Sequence, residues 1–171
     1  MKILYSAEAL FEAVARLGTQ INRDYQHQTT PLMLVVVLKG SFIFAADLMR
    51  QLTIPCEVEF IRASSYRQGT TAGELCLDWG MTKDFGGRDV LVLEDVVDSG
   101  QTLHAILTDL KTQTRTVRLC ALLDKPEKHR VPVTIDYCGF QLLGDPFVVG
   151  YGLDYAEQHR GLPYIGVLGG A

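Results

Sequence analysis

Three carboxylates fall within five positions directly after an apolar run in the segment VLVLEDVVDSGQTL, residues 90–103. They belong to Glu94, Asp95 and Asp98, and a Ser-Gly pair and a threonine follow them. A glycine-containing turn that leads into a helix suits a phosphate group, because the N–H groups and the dipole at a helix N-terminus favour an anion. Carboxylates beside it can accept hydrogen bonds from sugar hydroxyl groups. The segment as a whole therefore predicts a sugar-phosphate site.

A simpler interpretation assigns these residues no chemistry. Asp98 or Ser99 would only cap the next helix, and Glu94 and Asp95 would be solvated at a strand end. This interpretation is favoured for one carboxylate taken alone, but it does not account for the whole run. The sequence contains neither G-x-x-x-x-G-K-[ST] nor a G-x-G-x-x-G after a strand. A generic ATPase or dehydrogenase is therefore disfavoured.

The segment belongs to a chain in which strand-like runs alternate with amphipathic stretches. The strand-like runs are residues 31–38, 56–60, 90–93, 117–123 and 147–149. Apolar residues at helical spacing begin at Leu10, where Ser6 can cap the helix, and again at Phe42 and Leu103. This order predicts a parallel sheet with helices on both faces. Such sheets bind ligands beyond the carboxyl ends of their strands, where the three carboxylates fall.

Residues 64–88 interrupt the alternation. They hold five glycines among serines, threonines and scattered apolar residues, and a loop of this length in a compact domain is often a lid or a binding loop. Weak hairpin character is also possible there. Because no linker or internal repeat divides the chain, we expect a single domain over residues 1–171.

The composition limits the classes of partner. Lys and Arg total 16 against 20 for Asp and Glu, and this acidic balance argues mildly against a nucleic-acid-binding role. The longest apolar run, 31–38, is too short to cross a membrane, and the first residues show no secretory pattern. The four cysteines form no C-x-x-C pair. We therefore expect a cytoplasmic protein with reduced thiols and no membrane partner.

VLVLEDVVDSGQTL resembles the phosphoribosyl-diphosphate signature of the type I phosphoribosyltransferases, with its apolar run, paired acids, Asp and Ser/Thr-Gly loop. Four further segments are similar, in order and spacing, to the bacterial hypoxanthine (hypoxanthine-guanine) phosphoribosyltransferases: LKGSF (38–42), SSY (64–66), LLDKP (122–126) and FVVGYGLDYAEQHRGLPYIG (147–166). The resemblance runs from about residue 32 to 166. It implies a single-domain α/β fold with a mostly parallel central sheet flanked by helices, a flexible active-site loop at about 64–88 and a small hood.

The resemblance also implies a reaction in purine salvage. The 5-phosphoribosyl group of 5-phosphoribosyl 1-diphosphate would pass to N9 of hypoxanthine or guanine, giving IMP or GMP and pyrophosphate. The implied enzyme is a glycosyltransferase that depends on Mg²⁺. Its partners would be small-molecule substrates and further copies of the chain, in a homodimer or homotetramer, with no nucleic acid.

By the same resemblance, residues 90–103 bind the ribose and its 5′-phosphate. Glu94 and Asp95 would face the ribose hydroxyl groups, and Asp98 would be the catalytic acid or base at purine N7. The residues implied in ribose and phosphate binding are Glu94, Asp95, Asp98, Ser99, Gly100, Gln101 and Thr102.

The purine site that the resemblance implies consists of Lys125, Phe147, Val148 and Asp154. Lys125 would donate to the 6-oxo group, and because an ammonium group only donates hydrogen bonds, it would reject the amino group of adenine. Phe147 would stack on the purine, and Val148 would offer backbone groups to its edge. Without the resemblance, Lys125 is a solvated lysine and Phe147 a core residue.

The pyrophosphate site that the resemblance implies consists of Lys39, Gly40, Ser65, Tyr66 and Arg160. A non-proline cis peptide would join Lys39 to Gly40, although the sequence leaves its isomer open. Magnesium would be held, largely through water and substrate, by Asp154, Glu94 and Asp95. Without the resemblance, Asp154 and Arg160 could as easily form a surface ion pair.

Three alternatives remain at this stage. Some proteins with this phosphoribosyl motif are RNA-binding regulators of pyrimidine genes, and others transfer the phosphoribosyl group to adenine, uracil or orotate. The Lys125 and Phe147 segments argue against both. A non-enzymatic flavodoxin-like module would not account for the paired carboxylates. The use of guanine or xanthine beside hypoxanthine stays open.

Overall fold

The computed structural model describes residues 1–65, 75–79 and 84–169. Its helices are α1 (Ala7–Tyr25), α2 (Phe42–Gln51) and α3 (Gln101–Lys111), with a short 3-10 helix at Pro126–Lys128. Its strands are β1 (Lys2–Tyr5), β2 (Leu32–Leu38), β3 (Cys56–Ser65), β4 (Leu75–Asp78), β5 (Asp89–Val97), β6 (Thr116–Asp124), β7 (Tyr137–Gln141), β8 (Val148–Val149) and β9 (Ile165–Val167).

Six of these strands form the central sheet in the order β4-β3-β2-β5-β6-β7. All neighbours pair in parallel except β3 and β4, which are antiparallel. The other three strands form a small antiparallel sheet in the order β1-β9-β8. The predicted mostly parallel α/β sheet is confirmed, and the three-stranded sheet corresponds to the small hood that the resemblance implied.

Helices cover both faces of the central sheet, as the alternation of elements predicts. The helices α1 and α2 pack on one face, and the predicted apolar stripe of α1, starting at Leu10, is buried there. The helix α3 packs on the other face through Leu103, Ile106 and Leu110. The predicted cap of α1 is present, since the Ser6 hydroxyl accepts the Ala9 N–H at 3.2 Å.

The apolar stripe that the spacing predicts for α2 is wrong at two of its positions, which are Phe42, Ala45, Leu48, Met49 and Leu52. Phe42 and Met49 are 43% and 38% exposed, whereas Phe44, Ala45 and Leu48 are buried. At 3.6 residues per turn, Phe42 and Met49 lie roughly a quarter of a turn away from the buried side. The apolar surface of this helix is therefore wider than the part of it that the sheet covers.

The strand β5 is longer than predicted and holds two of the three carboxylates. Its pairing with β2 ends at Leu93, but its pairing with β6 continues to Val97. Glu94 and Asp95 therefore lie in a strand that has lost its neighbour on one side, rather than beyond the strand end. This opening between β2 and β5 is where the sheet can admit a ligand.

Part of the predicted loop at 64–88 is ordered structure. The strand β4 pairs with the end of β3, from Arg62 opposite Asp78 to Ser65 opposite Leu75, which agrees with the hairpin character considered above. Phe85 is buried and meets the Trp79 ring edge to face at 5.3 Å between centroids. Tyr66 and the rest of 66–74, like 80–83, lie outside the described residues.

Within the described residues, we find no helix with the length and apolar character needed to cross a membrane.

Candidate active site

Two adjoining cavities open at the carboxyl edge of the central sheet. The larger, of about 490 Å³, is lined by Lys39, Gly40, Asp95, Lys125, Phe147, Val148, Asp154, Glu157 and Arg160, among others. The smaller, of about 240 Å³, is lined by Glu94, Asp98, Ser99, Gly100 and Thr102, among others. Leu38, Ala63 and Val96 border both. Every predicted site residue in the described part of the chain lines one of these two cavities, except Gln101, the first residue of α3, and Ser65, at the end of β3.

The smaller cavity is formed by the turn that precedes α3. Gly100 has a φ of +78°, and a Cβ atom at this position would lie 2.7 Å from Val133, so conformation and space both require glycine. The Gln101 N–H donates to the Ser99 hydroxyl at 3.4 Å, and the Arg130 N–H donates to the Ser99 carbonyl at 2.9 Å. The turn is therefore fixed from both sides, with the helix N-terminus at a cavity suited to an anion.

Glu94 and Asp95 line different cavities. Glu94 is only 8% exposed, and its Oε1 accepts from the Ser41 hydroxyl and the Asp95 N–H, each at 3.2 Å. Burial raises the pKa of Glu94 well above its ordinary value, and the charge of Asp95 raises it further. Asp95 lines the larger cavity and accepts the Val96 N–H at 2.9 Å.

The turn between β2 and α2 lies tightly against Asp95. A Cβ atom at Gly40 would overlap the Asp95 carboxylate, and a Cβ atom at Gly152 would overlap the Gly40 carbonyl oxygen. These two glycines let the turn lie between β5 and the 150–160 segment. The cis peptide of this turn joins Leu38 to Lys39, so the predicted position between Lys39 and Gly40 is wrong by one residue.

Lys125 is the buried cation of the site, with 6% exposure. Its Nζ donates to Asp145 Oδ1 at 3.1 Å and to the Pro146 carbonyl at 3.2 Å, and it lies 3.7 Å from Asp98 Oδ2. Its backbone N–H donates to the Val97 carbonyl at 2.9 Å, which ties the end of β6 to β5. The interpretation of Lys125 as a solvated lysine is therefore wrong, and the structure places its ammonium group beside Asp98.

Phe147 is an exposed aromatic residue at the edge of the larger cavity. It is 53% exposed and lies just before β8, which begins at Val148 and not at the predicted residue 147. Its ring meets Tyr155 edge to face at 5.7 Å between centroids. Val148 and Val149 are buried. The core interpretation of Phe147 is wrong, and the ring is free to contact a ligand in the cavity.

Asp154 and Arg160 do form an ion pair, at 2.9 Å, but within the larger cavity. Arg160 also donates through Nη1 to the Gly152 carbonyl at 2.8 Å. Its Nε is buried and has no hydrogen-bond partner among the described residues. An unpaired buried donor at a cavity wall is a group that a bound anion could satisfy.

Sequence reasoning missed four residues that complete these contacts: Ser41, Asp145, Tyr155 and Glu157. Asp145 binds both Lys125 and Lys128, and the hydrogen bond from Lys128 is the first cause of its lowered pKa. Ser41 could have been found from its place inside LKGSF. Tyr155 and Glu157 lie within the quoted 147–166 segment, but no role was assigned to them, and Asp145 had no signal in the sequence.

The sequence profile of the phosphoribosyl transferase domain matches residues 1–156. The chain belongs to this family of phosphoribosyltransferases. The hypoxanthine phosphoribosyltransferase of Salmonella typhimurium is 42% identical over 155 residues, which cover 90% of this chain and 86% of that protein. The hypoxanthine-guanine phosphoribosyltransferase of Mycobacterium avium is 43% identical over 172 residues, covering 97% of this chain and 84% of that one.

Solved structures agree with this assignment. A crystal structure of a hypoxanthine-guanine phosphoribosyltransferase from Bacillus anthracis has a TM-score of 0.89 to this phosphoribosyltransferase, with 40% identity and 98% of each chain covered. The predicted resemblance, the type I fold and the assignment to the transferase enzymes are thereby confirmed.

Proposed function

We propose that this phosphoribosyltransferase converts hypoxanthine, guanine or both into IMP or GMP, with 5-phosphoribosyl 1-diphosphate as the donor and pyrophosphate as the second product. The observation that carries the proposal is the buried Lys125 ammonium group, 3.7 Å from Asp98, in a cavity edged by Phe147. The similarity to enzymes named for hypoxanthine and guanine supports the same substrates.

The two cavities divide the substrates between them. The 5′-phosphate binds in the smaller cavity at the N-terminus of α3, where Ser99 and Thr102 add hydroxyl groups. The ribose lies between the cavities, within reach of Glu94 and Asp95, and the purine binds against Phe147 in the larger cavity. Lys125 then donates a hydrogen bond to the 6-oxo group of the base. An amino group in that position, as in adenine, could not accept this bond.

The transfer forms a bond from N9 to C1′ as the bond from C1′ to the diphosphate oxygen breaks. Positive charge grows on the ribose ring, and negative charge grows on the leaving diphosphate. Asp98 accepts the proton that the purine loses, at N7, while Lys39 and Arg160 bind the diphosphate. Fixing all three groups at one sheet edge supplies the orientation on which such a displacement depends.

Magnesium fits the donors that the site offers. Asp95 and Asp154 both line the larger cavity, and carboxylate oxygens are suitable ligands for Mg²⁺, which keeps several waters and binds substrate phosphates as well. The described residues contain no group of three or more His, Cys, Asp or Glu able to hold a metal, so the diphosphate would complete the coordination. When bound, the ion would neutralise charge on the leaving group.

A base panel tests the function directly. The enzyme is mixed with 5-phosphoribosyl 1-diphosphate, Mg²⁺ and hypoxanthine, guanine, xanthine or adenine, and pyrophosphate release is followed. We expect release with hypoxanthine or guanine and little with adenine. In Lys125→Ala, the ratio of kcat/KM for the oxopurine over adenine should fall by about tenfold or more, the effect of one lost charged hydrogen bond. Preference for adenine in the wild type, or unchanged selectivity in the variant, would refute the assignment.

The cellular setting follows from the same proposal. An enzyme that uses soluble nucleotide precursors would act in the cytoplasm. For its oligomeric state, we propose a homodimer or homotetramer. Sedimentation of the purified enzyme at several concentrations measures that state.

A further inference from the structure

We propose that Glu157 competes with the diphosphate group for the same site. Its carboxylate pairs with Lys39 and Arg160, the two cations of the pyrophosphate site, and is displaced when the diphosphate binds. The identity of the displaced ligand rests on the proposed function. The contact itself does not, since both hydrogen bonds to Glu157 are present in the structure whichever ligand the site takes. Glu157 would thus set the affinity of the site for pyrophosphate.

The contacts of Glu157 resemble those of a phosphate oxygen. Its Oε1 accepts from Lys39 Nζ at 3.1 Å and from Arg160 Nη2 at 3.2 Å, so one oxygen bridges both cations. Lys39 precedes Glu157 by 118 positions in the sequence, and the fold brings the two together in the larger cavity. A carboxylate held there competes for the same hydrogen bonds that an incoming anion would need.

The backbone around Glu157 is held in an unfavourable conformation to reach this position. Ala156, Glu157 and His159 have φ values of 51°, 64° and 74°, a region that residues with side chains rarely adopt. The turn is kept by the Glu157 N–H, which donates to Asp154 Oδ2 at 2.8 Å. Such conformations persist where surrounding contacts impose them, and they concentrate at functional sites.

Arg160 is anchored independently of Glu157. Its Nη1 donates to the Gly152 carbonyl and its Nη2 pairs with Asp154, so the guanidinium group can stay in place after Glu157 leaves. Its buried Nε provides a further donor without a partner among the described residues. The cation is therefore positioned for a ligand with more acceptor atoms than Glu157 supplies, and a diphosphate has them.

Glu157 is negatively charged at neutral pH and free to move. Hydrogen bonds from Lys39 and then Arg160 lower the pKa of its carboxyl group. Its side chain is 65% exposed and that of Lys39 is 54% exposed, and exposed pairs of this kind bind weakly. A weak, charged and exposed contact is easily exchanged for a multivalent anion.

The test is calorimetric titration of inorganic pyrophosphate into wild-type enzyme and Glu157→Gln, with and without Mg²⁺. The amide keeps the size of the side chain but loses its charge, so pyrophosphate should bind about three- to tenfold more tightly to the variant, the effect of losing one or two exposed ion pairs. Glu127→Gln is the matched control, because it changes the net charge equally at a residue outside the larger cavity. Affinity that is unchanged, weakened or raised equally in the control would overturn the proposal.

Steady-state kinetics give a second readout. The KM for 5-phosphoribosyl 1-diphosphate should fall in Glu157→Gln by a similar factor, while the KM for the purine should not change. A merely structural role would move both. If the wild type transferred no phosphoribosyl group to any base, the proposed function would fail, but pyrophosphate titration would still decide the role of Glu157, because it requires no turnover.

Discussion

The strand β5 carries a buried carboxylate near each of its ends, and their environments are opposite. Asp89, at the amino end, is 6% exposed and accepts from Gln28 at 2.6 Å, Thr116 at 2.6 Å and Arg115 Nε at 3.0 Å, with a second contact to the same guanidinium group. The hydrogen bond from Arg115 is the first cause of its lowered pKa. Its charge is satisfied within the fold.

Glu94, near the carboxyl end, receives much less. Its two donors, Ser41 and the Asp95 N–H, both point to the same oxygen, and the adjacent Asp95 adds a like charge. Burial outweighs these two bonds, and the pKa rises. The fold therefore retains at this edge an acid that it does not stabilise.

The difference separates two uses of the same chemical group. At the amino edge, a carboxylate links the loop before β2 to β5 and β6, and its partners are all within the protein. At the carboxyl edge, the carboxylates line cavities, and a substrate there would supply hydrogen-bond donors that the protein does not. Departures from good local stability at one edge of a sheet are the pattern expected of a functional site.

The largest effect is expected at the functional edge, from Asp98→Asn. In the proposed mechanism Asp98 accepts the purine proton, which an amide cannot do, so kcat should fall by at least about 100-fold, the lower end of acid–base contributions. Because the Asp98 side chain is 50% exposed, the free energy of unfolding should change by less than about 0.5 kcal/mol. Initial rates and urea unfolding measure the two quantities. Asp109→Asn, in α3 but outside both cavities, is the control, and turnover near the wild-type value in Asp98→Asn would exclude the assigned role.

At the amino edge, Asp89→Asn is expected to change stability and not turnover. Losing charge-assisted hydrogen bonds in a buried position should lower the free energy of unfolding by about 2 kcal/mol, with kcat unchanged for the folded enzyme. The sign of the pH dependence follows from the lowered pKa of Asp89. Its stabilisation is present above the unfolded pKa of about 3.9 and is lost as pH falls through the folded value.

Urea unfolding between pH 7 and pH 3 checks this expectation. The difference between wild type and Asp89→Asn should be constant at neutral pH and shrink below about pH 4. A difference that stayed constant down to pH 3 would mean that the Asp89 charge is not what stabilises this edge.

The contrast between the edges also explains what the sequence could predict. The β-branched runs and the stripe from Leu10 predict the sheet and a helix that covers it, because strands buried on both faces are continuously apolar and a helix buried on one side is apolar at every third or fourth residue. The turn before α3 was predictable for a similar reason, since the 98–102 segment carries glycine and hydroxyl groups within one local motif. In each of these cases the information lies within a few consecutive residues.

Contacts between segments that are distant in the sequence have no local sequence pattern that predicts them. Asp145 reaches Lys125 and Glu157 reaches Lys39 only because the fold brings separate loops to one edge. The end of β5 was predicted at residue 93 because apolar residues stop there, whereas pairing with β6 continues to Val97. Charged residues inside a strand that is paired on one side look like a strand end in the sequence.

The smallest effect, and the most direct test of the comparison, is expected from Glu94→Gln. At pH 8 this variant should be more stable than the wild type by about 1 kcal/mol, the order of the cost of burying a polar group with incomplete hydrogen bonding. The amide keeps an oxygen for Ser41 and the Asp95 N–H, and it cannot become charged beside Asp95 as pH rises. Turnover should fall at the same time, since the ribose would lose an acceptor.

The pH dependence of that advantage has a definite sign. Because the folded pKa of Glu94 is raised, the folded wild type holds a proton that the unfolded chain has released, and its stability falls as pH rises above the unfolded pKa of about 4.3. The advantage of Glu94→Gln should therefore be near zero at pH 4 and grow toward pH 8, opposite in direction to the neutral-pH loss in Asp89→Asn. Thermal unfolding at four or five pH values measures it, with Glu12→Gln, on the exposed side of α1, as the control that should show no trend. A loss of stability in Glu94→Gln at every pH would mean that Glu94, like Asp89, is held by its partners rather than against its own burial.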